Sequence, residues 1–362
     1  MTIYENLLRP VLFSMDAEKA HHLATGAARW LRIIGPALNL SHHDPVLATA
    51  LAGVRLTSPV GLAAGFDKNG KLAGVMGYLG FGFEDVGSVC ALPWSGNPKP
   101  RLFRLPEDKA IINRMGHNGD GVAVIAARLA NSKFSLPVGA TIAKTNDPSI
   151  TGDAAIQDHV DTFKALSHLP LAYICLNASC PNTHEGCLPA AAELNIILRE
   201  FQRANDGKLP IFLKVSPDSS DELLEQFTAI ASAHSLAGYV CGNTSVQRDG
   251  MGLRTNAEAV KAIANGGLSG PPVTEKALHL CRRVYRLKNK EQQIIGCGGI
   301  ASGADAMRFI KAGASVVQLY TGFVYHGPTL PARINAELAE LIKKEGVPLS
   351  SLVGSEHIAA ST

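Results

Sequence analysis

The sequence lacks three features that each point to a particular class of protein. Its seven cysteines include no Cys-X-X-Cys pair, and an odd, scattered set suits neither a disulfide framework nor an iron-sulfur cluster. No apolar run approaches the roughly 20 residues needed to cross a bilayer, and no signal-peptide pattern is present. We therefore expect a protein of a reducing compartment that is neither secreted nor membrane-spanning.

The sequence also lacks a large excess of positive or of negative charge. The formal net charge is +3, and no basic tract alternates with aromatic residues. Neither a G-x-G-x-x-G pattern nor a Walker A pattern occurs. These absences argue against nucleic acid as a partner and against NAD or ATP as a ligand.

What is present is enough apolar sequence for a large core. A chain of 362 residues that is 46% hydrophobic accommodates one large α/β domain with an appendage. Within residues 1–40, apolar residues recur at helical spacing and predict two short amphipathic helices, followed by a break at Ser41 to Pro45. These helices could form a cap packed on the domain or a hairpin on a membrane surface, since both need one apolar face.

Eight short β-prone runs alternate with helical stretches over the remaining chain. They are Val60 to Ala64, Phe83 to Val86, Val138 to Ala143, Ala172 to Asn177, Ile211 to Val215, Gly238 to Cys241, Ile294 to Gly298 and Val316 to Leu319. Alternation of strands and helices predicts parallel pairing, and eight strands predict closure into a (β/α)8 barrel. The active site of such a barrel lies at the carboxyl ends of its strands.

Glycine-rich segments follow the last two of these strands. Gly296 to Gly299 and Tyr320 to Gly322 end them, and Gly266 to Gly270 precedes the seventh. Glycines allow backbone N–H groups to approach a phosphate, and this is the usual phosphate position of such barrels. The pattern favours a mononucleotide such as FMN, although the same glycines could serve only as tight turns.

Several polar residues lie within an apolar strand or just after a strand, where they could bind a ligand. Lys214 interrupts an apolar run, where a buried ammonium is costly unless it faces an anion such as a reduced flavin. Asn113, Asn177, Asn182 and Asn243 offer donors and acceptors that suit a ring with alternating N–H and C=O groups. Lys214 could instead point outward between helices, and each Asn taken singly could be a turn residue.

Several motifs, in order along the chain, resemble those of the dihydroorotate dehydrogenase family. They are Ala64-Gly65-Phe66-Asp67-Lys68, Ile112-Asn113-Arg114-Met115-Gly116, Asn177-Ala178-Ser179-Cys180-Pro181-Asn182-Thr183, Gly267-Leu268-Ser269-Gly270 and Gly298-Gly299-Ile300. Leu12 to His21 and Pro100 to Leu105 resemble the second class of this family, whose helical extension admits a membrane quinone.

The resemblance implies an oxidation of dihydroorotate to orotate in pyrimidine biosynthesis. FMN would accept the C6 hydride while a base removes the C5 proton, and a membrane quinone would then reoxidise the flavin. It also implies a helical membrane and quinone-access extension (1–44), an FMN-binding barrel (45–345) and a C-terminal tail (346–362). We expect a monomer bound peripherally to the cytoplasmic side of the cell membrane, without a metal.

The resemblance assigns the site residues as follows. Substrate binding falls to Lys68, Asn113, Arg114, Met115, Gly116, His117, Asn177, Asn182, Asn243 and Thr244. FMN binding falls to Ala64, Gly65, Phe66, Asp67, Lys68, Ser88, Thr141, Asn177, Lys214, Gly242, Gly270, Gly299, Tyr320 and Thr321. The quinone route falls to His21, Arg104 and Tyr320.

Some positions depart from the second-class pattern. Cys180 stands where that class has Ser, and a thiol with an ordinary pKa of about 8.5 can accept a proton directly once ionised. Thr141 replaces an Asn, Gly242 a Thr or Ser, and His117 a Phe, while residues 183–187 lack the usual Pro-Gly-Leu-Arg. Two alternatives therefore remain open: an FMN oxidoreductase acting on another cyclic amide, and a catalytically silent flavin-binding barrel.

Overall fold

Eight parallel strands form a closed barrel in the computed structural model, which describes residues 2–38, 40–179, 191–205 and 209–359. All eight predicted strands are present, with ends that differ by a few residues. Numbered in chain order they are β1 (Val60–Leu62), β2 (Phe83–Val89), β3 (Val138–Ile142), β4 (Tyr173–Asn177), β5 (Ile211–Val215), β6 (Gly238–Cys241), β7 (Gln293–Cys297) and β8 (Val316–Leu319).

Each strand pairs with the next along the chain, and β8 pairs with β1 through Val317 and Val60. Parallel neighbours need a crossover between them, and helices supply most of these crossovers. The helices are Tyr4–Leu8 (a π-helix), Arg9–Ser14, Ala17–Ala28, Leu31–Leu38, Val122–Ala130, Asp153–Ser167, Ala191–Asn205, Asp221–Ala233, Ala257–Ile263, Thr274–Leu287, Gly303–Lys311, Thr321–His326, Leu330–Glu345, Leu349–Leu352 and Ser355–Ala359. Single 3₁₀ turns lie at Pro45–Leu47, Met76–Leu79, Pro106–Asp108 and Pro271–Val273.

Bulky side chains close the amino-terminal end of the barrel. An antiparallel hairpin of Thr49–Leu51 and Val54–Leu56 packs there, and its leucines join an apolar cluster inside the barrel. The cluster, called the apolar plug below, contains Leu51, Leu56, Phe83, Tyr173, Cys175, Phe212, Val240, Ile295 and Val316. Gly61 and Gly139 leave room for it, because a Cβ at these positions would overlap the rings of Phe83 and Tyr173.

A small antiparallel sheet stands outside the barrel ladder. Its strands are Leu102–Leu105, Ala110–Asn113 and Gly267–Ser269, with the middle strand paired to both others. The sequence pattern did not predict this sheet, and the glycine segment 266–270 belongs to its third strand and the turn after it. The sheet places Asn113 and Ser269 near the open end of the barrel.

The N-terminal segment, residues 4–38, contains helices at both predicted stretches, 4–14 (the π-helix Tyr4–Leu8 continued by Arg9–Ser14) and Ala17–Ala28. A third helix, Leu31–Leu38, was not predicted separately. The segment is tied to the helix Thr321–His326, since the Tyr4 hydroxyl donates to Val324 O at 2.7 Å and Arg9 Nη1 to Tyr325 O at 3.0 Å. Its other side leaves large apolar residues exposed, among them Leu7 (66%) and Ile33 (70%). In the described part of the chain, no helix combines the length and the apolarity that a bilayer crossing requires.

Candidate functional site

A cavity of about 420 Å³ opens at the carboxyl ends of the barrel strands. Residues from the ends of β1, β2, β4, β5, β7 and β8 line it, as do residues of the small sheet and of helix Ala17–Ala28. The barrel and its two additions therefore enclose one site.

A buried cation forms part of the cavity floor. Lys214 lies in β5, is 7% exposed and is paired in register with Asn177 of β4. Its ammonium makes no hydrogen bond or ion pair with any residue that the structure describes. Because a charge in such a place is costly without a partner, the floor of the cavity is suited to an anionic ligand group.

Glycines form a cradle on one side of the cavity. Gly299 has φ +72°, and a Cβ there would overlap Thr274 Oγ1 and lie 3.0 Å from Gly270 O. Ser269 Oγ and Thr321 Oγ1 lie 2.8 Å apart beside it. A closely approached backbone with hydroxyl groups at its edge is the usual arrangement for a bound phosphate.

Amide side chains line the opposite side. Asn177 Nδ2 donates to Ser88 Oγ at 3.1 Å, and Asn243 Nδ2 donates to Ser179 O at 3.0 Å. Ser179 Oγ in turn donates to Asn177 Oδ1 at 3.1 Å, so the two amides are held through one serine. This bonding fixes their orientation, which is what recognition of a planar polar ring requires.

A second cation lies beside the amides. Lys68 Nζ donates to Asn118 Oδ1 at 2.6 Å at the cavity wall. An ammonium in this position can also bind a carboxylate.

Aromatic rings line the side that faces helix Ala17–Ala28. The rings of His21 and Phe66 meet edge to face at 5.0 Å, and Phe66 contacts Tyr320 at 5.7 Å. Burial lowers the pKa of His21 to about 4, with a further contribution from the charge of Lys68, and burial raises the pKa of Tyr320 to about 12. Both groups are therefore neutral at neutral pH, and this wall is apolar with polar tips.

Most of the predicted site residues line this one cavity. They are His21, Ala64, Gly65, Phe66, Asp67, Lys68, Ser88, Asn113, Met115, Gly116, His117, Asn177, Lys214, Asn243, Thr244, Gly270, Gly299, Tyr320 and Thr321. Their individual roles remain predictions. The carboxylate of Asp67 accepts the backbone N–H groups of Lys71 and Leu72, so it also holds the turn after β1.

Four predicted residues do not line the cavity. The Arg114 guanidinium donates to Ile263 O and Pro100 O, and Arg104 donates to Leu12 O and lies over the Phe13 ring. Thr141 is fully buried below the cavity and donates to Asp85 Oδ1, while Gly242 is packed against Cys297 O. Two further predictions, Cys180 and Asn182, lie outside the described residues.

Some lining residues were not predicted, although a signal for several of them is visible in the sequence. Glu18, Thr25 and Arg29 stand three, four and eight residues from His21, so the prediction of His21 on a helix implies that they face the same way, whereas His22 simply follows it. Asn118 comes two residues after the motif that ends at Gly116. Cys297 lies in the glycine segment that ends β7, but its thiol gave no signal of its own, because a free cysteine in a strand is usually a packing residue.

The fold and the cavity define an α/β barrel enzyme that binds its ligands at the carboxyl ends of the strands, with a phosphate cradle and a buried cation. The family model of dihydroorotate dehydrogenase matches residues 46–342. The chain therefore belongs to the dihydroorotate dehydrogenase family, whose members are generally flavin-dependent oxidoreductases.

Curated relatives agree over nearly the whole chain. The dihydroorotate dehydrogenase (quinone) of Nocardia farcinica is 41% identical and covers 98% of this chain and 97% of its own length. The protein of the same name from Methylococcus capsulatus is 40% identical, over 94% of this chain and all of its own. A solved structure of the Eimeria tenella enzyme in complex with ferulenol aligns with a TM-score of 0.82 at 30% identity, covering 93% of this chain and 95% of that one.

Proposed function

We propose that this protein oxidises dihydroorotate to orotate, with FMN as its prosthetic group and a membrane quinone as electron acceptor. The observation that carries the proposal is Lys214, a buried cation that opens onto the cavity and makes no direct hydrogen bond or ion pair with the described residues. The quinone-linked relatives, similar over nearly the full length of the chain, support the same reaction.

The residues present fit FMN. The Gly299 and Gly270 cradle, with Thr321 beside it, would hold the phosphate, and Lys214 would lie below the ring. When bound, FMN accepts two electrons from the substrate and passes them on. Lys214 supplies a fixed positive charge where negative charge develops on reduction, which is the main way such a site lowers a barrier.

Substrate recognition is proposed for the amide side of the cavity. Asn113, Asn177 and Asn243 would bind the polar ring edges, and Lys68 would bind the carboxylate of dihydroorotate. Lys68 and Lys214 act on different groups, since one stands at the wall beside Asn118 and the other on the floor in β5.

Cys180 is the proposed base for the C5 proton, and it lies outside the described residues. A thiolate base predicts that flavin reduction accelerates with pH toward a single group at or somewhat below about 8 to 9, because only the ionised thiol accepts the proton. Rapid-mixing measurements across that range on the parent and on Cys180→Ala test this. A Cys180→Ala variant that reduces its flavin at the parent rate would remove Cys180 from the mechanism.

The quinone is proposed to enter beside helix Ala17–Ala28, past His21 and Tyr320. The exposed apolar side chains of the N-terminal segment, including Ile3, Val11 and Trp30, support a peripheral contact with the membrane. Arg104 donates to the backbone carbonyls of Leu12, Phe13 and Met15 at the C-terminal end of the helix Arg9–Ser14, and it would shape this entrance from outside the cavity. We further propose that the protein is a monomer bound to the cytoplasmic side of the cell membrane.

The proposal is tested by mixing the purified yellow protein with dihydroorotate without oxygen and then adding a soluble quinone. We expect dihydroorotate to bleach the flavin and the quinone to restore its colour. Mass analysis of the released cofactor should give FMN rather than FAD. A yellow protein that dihydroorotate fails to bleach would instead favour an oxidoreductase acting on another cyclic amide, and a colourless one a silent barrel.

A further inference from the structure

A layer of polar side chains lies inside the barrel between the apolar plug and the cavity. Along β2, Phe83 belongs to the plug, Asp85 follows two residues later, and Ser88 lines the cavity. Asp85 is 1% exposed. A carboxyl group inside a barrel and away from water is costly unless hydrogen bonds or an opposite charge compensate it.

The carboxyl group of Asp85 is surrounded by donors from three other strands. Thr141 of β3 donates to Oδ1 at 2.8 Å, while Tyr173 of β4 and Gln318 of β8 donate to Oδ2 at 3.3 and 3.4 Å. Thr141, Tyr173 and Gln318 can each donate a hydrogen bond to Asp85, and a carboxylate, which only accepts, can use all three at once. This set of donors favours the ionised form.

In the described part of the chain, Asp85 and Lys214 are the acidic and basic groups that point into this level of the barrel. The other titratable groups nearby are Glu84, beside Asp85 in β2, and Tyr173, Cys175 and Cys297. Burial raises the pKa of Tyr173, Cys175 and Cys297, so these three are neutral at neutral pH. Burial also raises the pKa of Asp85, but the Thr141 hydroxyl and the charge of Lys214 oppose this.

The geometry brings the two charges together. Thr141, which donates to Asp85, is in register with Cys175, and Cys175 is in register with Phe212. Lys214 follows Phe212 by two residues on the same face of β5, so Asp85 and Lys214 occupy neighbouring levels of the barrel interior.

We propose that Asp85 is a positioning residue that acts through Lys214: its buried negative charge compensates the ammonium at the cavity floor and thereby sets the reduction potential of the flavin above it. This inference rests on the proposed function, because it assumes that FMN occupies the cavity. Asp85 does not line the cavity and touches neither the substrate nor the flavin.

Charge arithmetic gives the sign of the effect. Reduced flavin carries a negative charge, so a nearby carboxylate disfavours reduction and a nearby ammonium favours it. Asp85→Asn removes the carboxylate and keeps its shape, and the ratio of reduced to oxidised flavin at a fixed potential should rise at least tenfold. For a two-electron couple this corresponds to about 30 mV or more in the positive direction.

Glu84 provides a matched control one residue away. It is fully buried, and it does not line the cavity. Burial, with the neighbouring Asp67, raises the pKa of Glu84 well above its usual value. As the next residue along β2, Glu84 points to the opposite face of the strand from Asp85, where the backbone N–H of Gly74 donates to it. Glu84→Gln should therefore leave the ratio of reduced to oxidised flavin at a fixed potential within a factor of two of the parent.

The test combines redox titrations of the flavin-loaded protein with a stability cycle. Asp85→Asn, Lys214→Gln and the double variant are unfolded in urea as full-length protein, beside the corresponding cycle with Glu84→Gln. Removing one member of a buried pair strands the other charge, and removing both does not. We expect the unfolding equilibrium constant of the double variant to be at least tenfold lower than the two single-variant effects combined predict. In the Glu84 cycle, the single-variant effects should simply add.

Either readout can overturn the inference. An unchanged potential in Asp85→Asn, or equal recovery in both cycles, would show that Asp85 is a neutral structural acid. If the single variants fail to fold, a double variant that folds supports the pairing and one that does not contradicts it. Any flavin loss caused by Lys214→Gln is common to both cycles. A wild-type protein without flavin would refute the proposed function instead, while the stability cycle would still decide the pairing.

Discussion

Soluble proteins usually bury apolar side chains and expose charged ones. The N-terminal segment departs from this by exposing apolar side chains, and the barrel interior departs from it by burying charged ones. The N-terminal segment exposes Leu7, Val11 and Ile33 on short helices, whereas the barrel buries Asp85 and Lys214. Each arrangement costs free energy in water, since apolar surface is hydrated in one and charges are desolvated in the other. On the proposed function, this difference would divide two tasks: charge chemistry in the barrel and contact with an apolar phase by the N-terminal segment.

The two regions meet at the cavity. Helix Ala17–Ala28 contributes His21, and the bidentate pair of Glu18 with Arg101, at 2.7 and 3.1 Å, fastens this helix to the residue that precedes the small sheet. On the proposed function, the electron acceptor and the substrate would reach one cavity along different walls. Changes in the barrel should affect both half-reactions, and changes on the exposed face should affect only the second.

The largest expected effect comes from removing the charge of the barrel floor. Lys214→Gln should slow flavin reduction by dihydroorotate by about 100-fold or more, the usual loss when a preorganised charge is removed from a site of charge development. Rapid-mixing absorbance measures the rate. Lys276→Gln, outside the cavity on the Thr274–Leu287 helix, should keep the parent rate, and equal losses in both would remove Lys214 from the chemistry.

A smaller effect is expected at the glycine cradle. Gly299→Ala places a Cβ against Thr274 Oγ1 and Gly270 O, and we expect flavin affinity to fall at least tenfold, measured by equilibrium dialysis. Gly250→Ala is a close control, because both glycines have φ +72° but nothing lies within 4 Å of a Cβ at Gly250. Equal losses of flavin affinity in the two variants would show that backbone strain, rather than closeness to the ligand, weakens flavin binding.

The smallest effect concerns the link between the two regions. Glu5 Oε1 lies 2.6 Å from His326 Nδ1, and its other oxygen accepts the Thr2 N–H. These bonds, the one from Thr2 first, lower the pKa of Glu5 to about 2, so their stabilisation is present above the usual pKa of 4.5 and is lost as pH falls toward 2.

Glu5→Gln should therefore lower the Tm by about 2 °C at pH 7, with the difference from the parent shrinking below about pH 4.5. Thermal unfolding at both pH values measures it. Glu340→Gln, at an exposed position, should change the Tm less, and a Glu5 effect that persists at pH 2 would contradict the assignment.

Much of the barrel could be predicted because two signals agree there. Runs such as Ile211–Val215 are short, apolar and bounded by helices, and the motif glycines mark the strand ends. The small sheet escaped prediction because its strands have three or four residues and Gly266-Gly267 resembles a turn. Periodicity also does not show where a long N-terminal helical pattern breaks, which here occurs at Met15 and near Trp30.

Most predicted site residues that follow a barrel strand line the cavity, whereas sequence position was less informative for long side chains and for residues within a strand. Arg104 and Arg114 stand near the site in sequence, but their guanidinium groups reach backbone carbonyls elsewhere. Thr141 lies one layer below the cavity, and strand alternation does not reveal depth along the barrel axis. Asp85 had no sequence signal at all, since its role depends on partners from three other strands.

The most direct test separates the two half-reactions in one protein. The double variant Leu7→Glu/Ile33→Glu is compared with the parent, and with Val347→Glu on an exposed site far along the chain, in anaerobic reduction by dihydroorotate and in reoxidation by quinone held in lipid vesicles. We expect the rate of flavin reduction to be unchanged in all three proteins. Reoxidation should be slowed about tenfold or more in the double variant only. Equal slowing of both steps, or undiminished reoxidation from vesicles, would contradict the division of tasks between the barrel and the N-terminal segment.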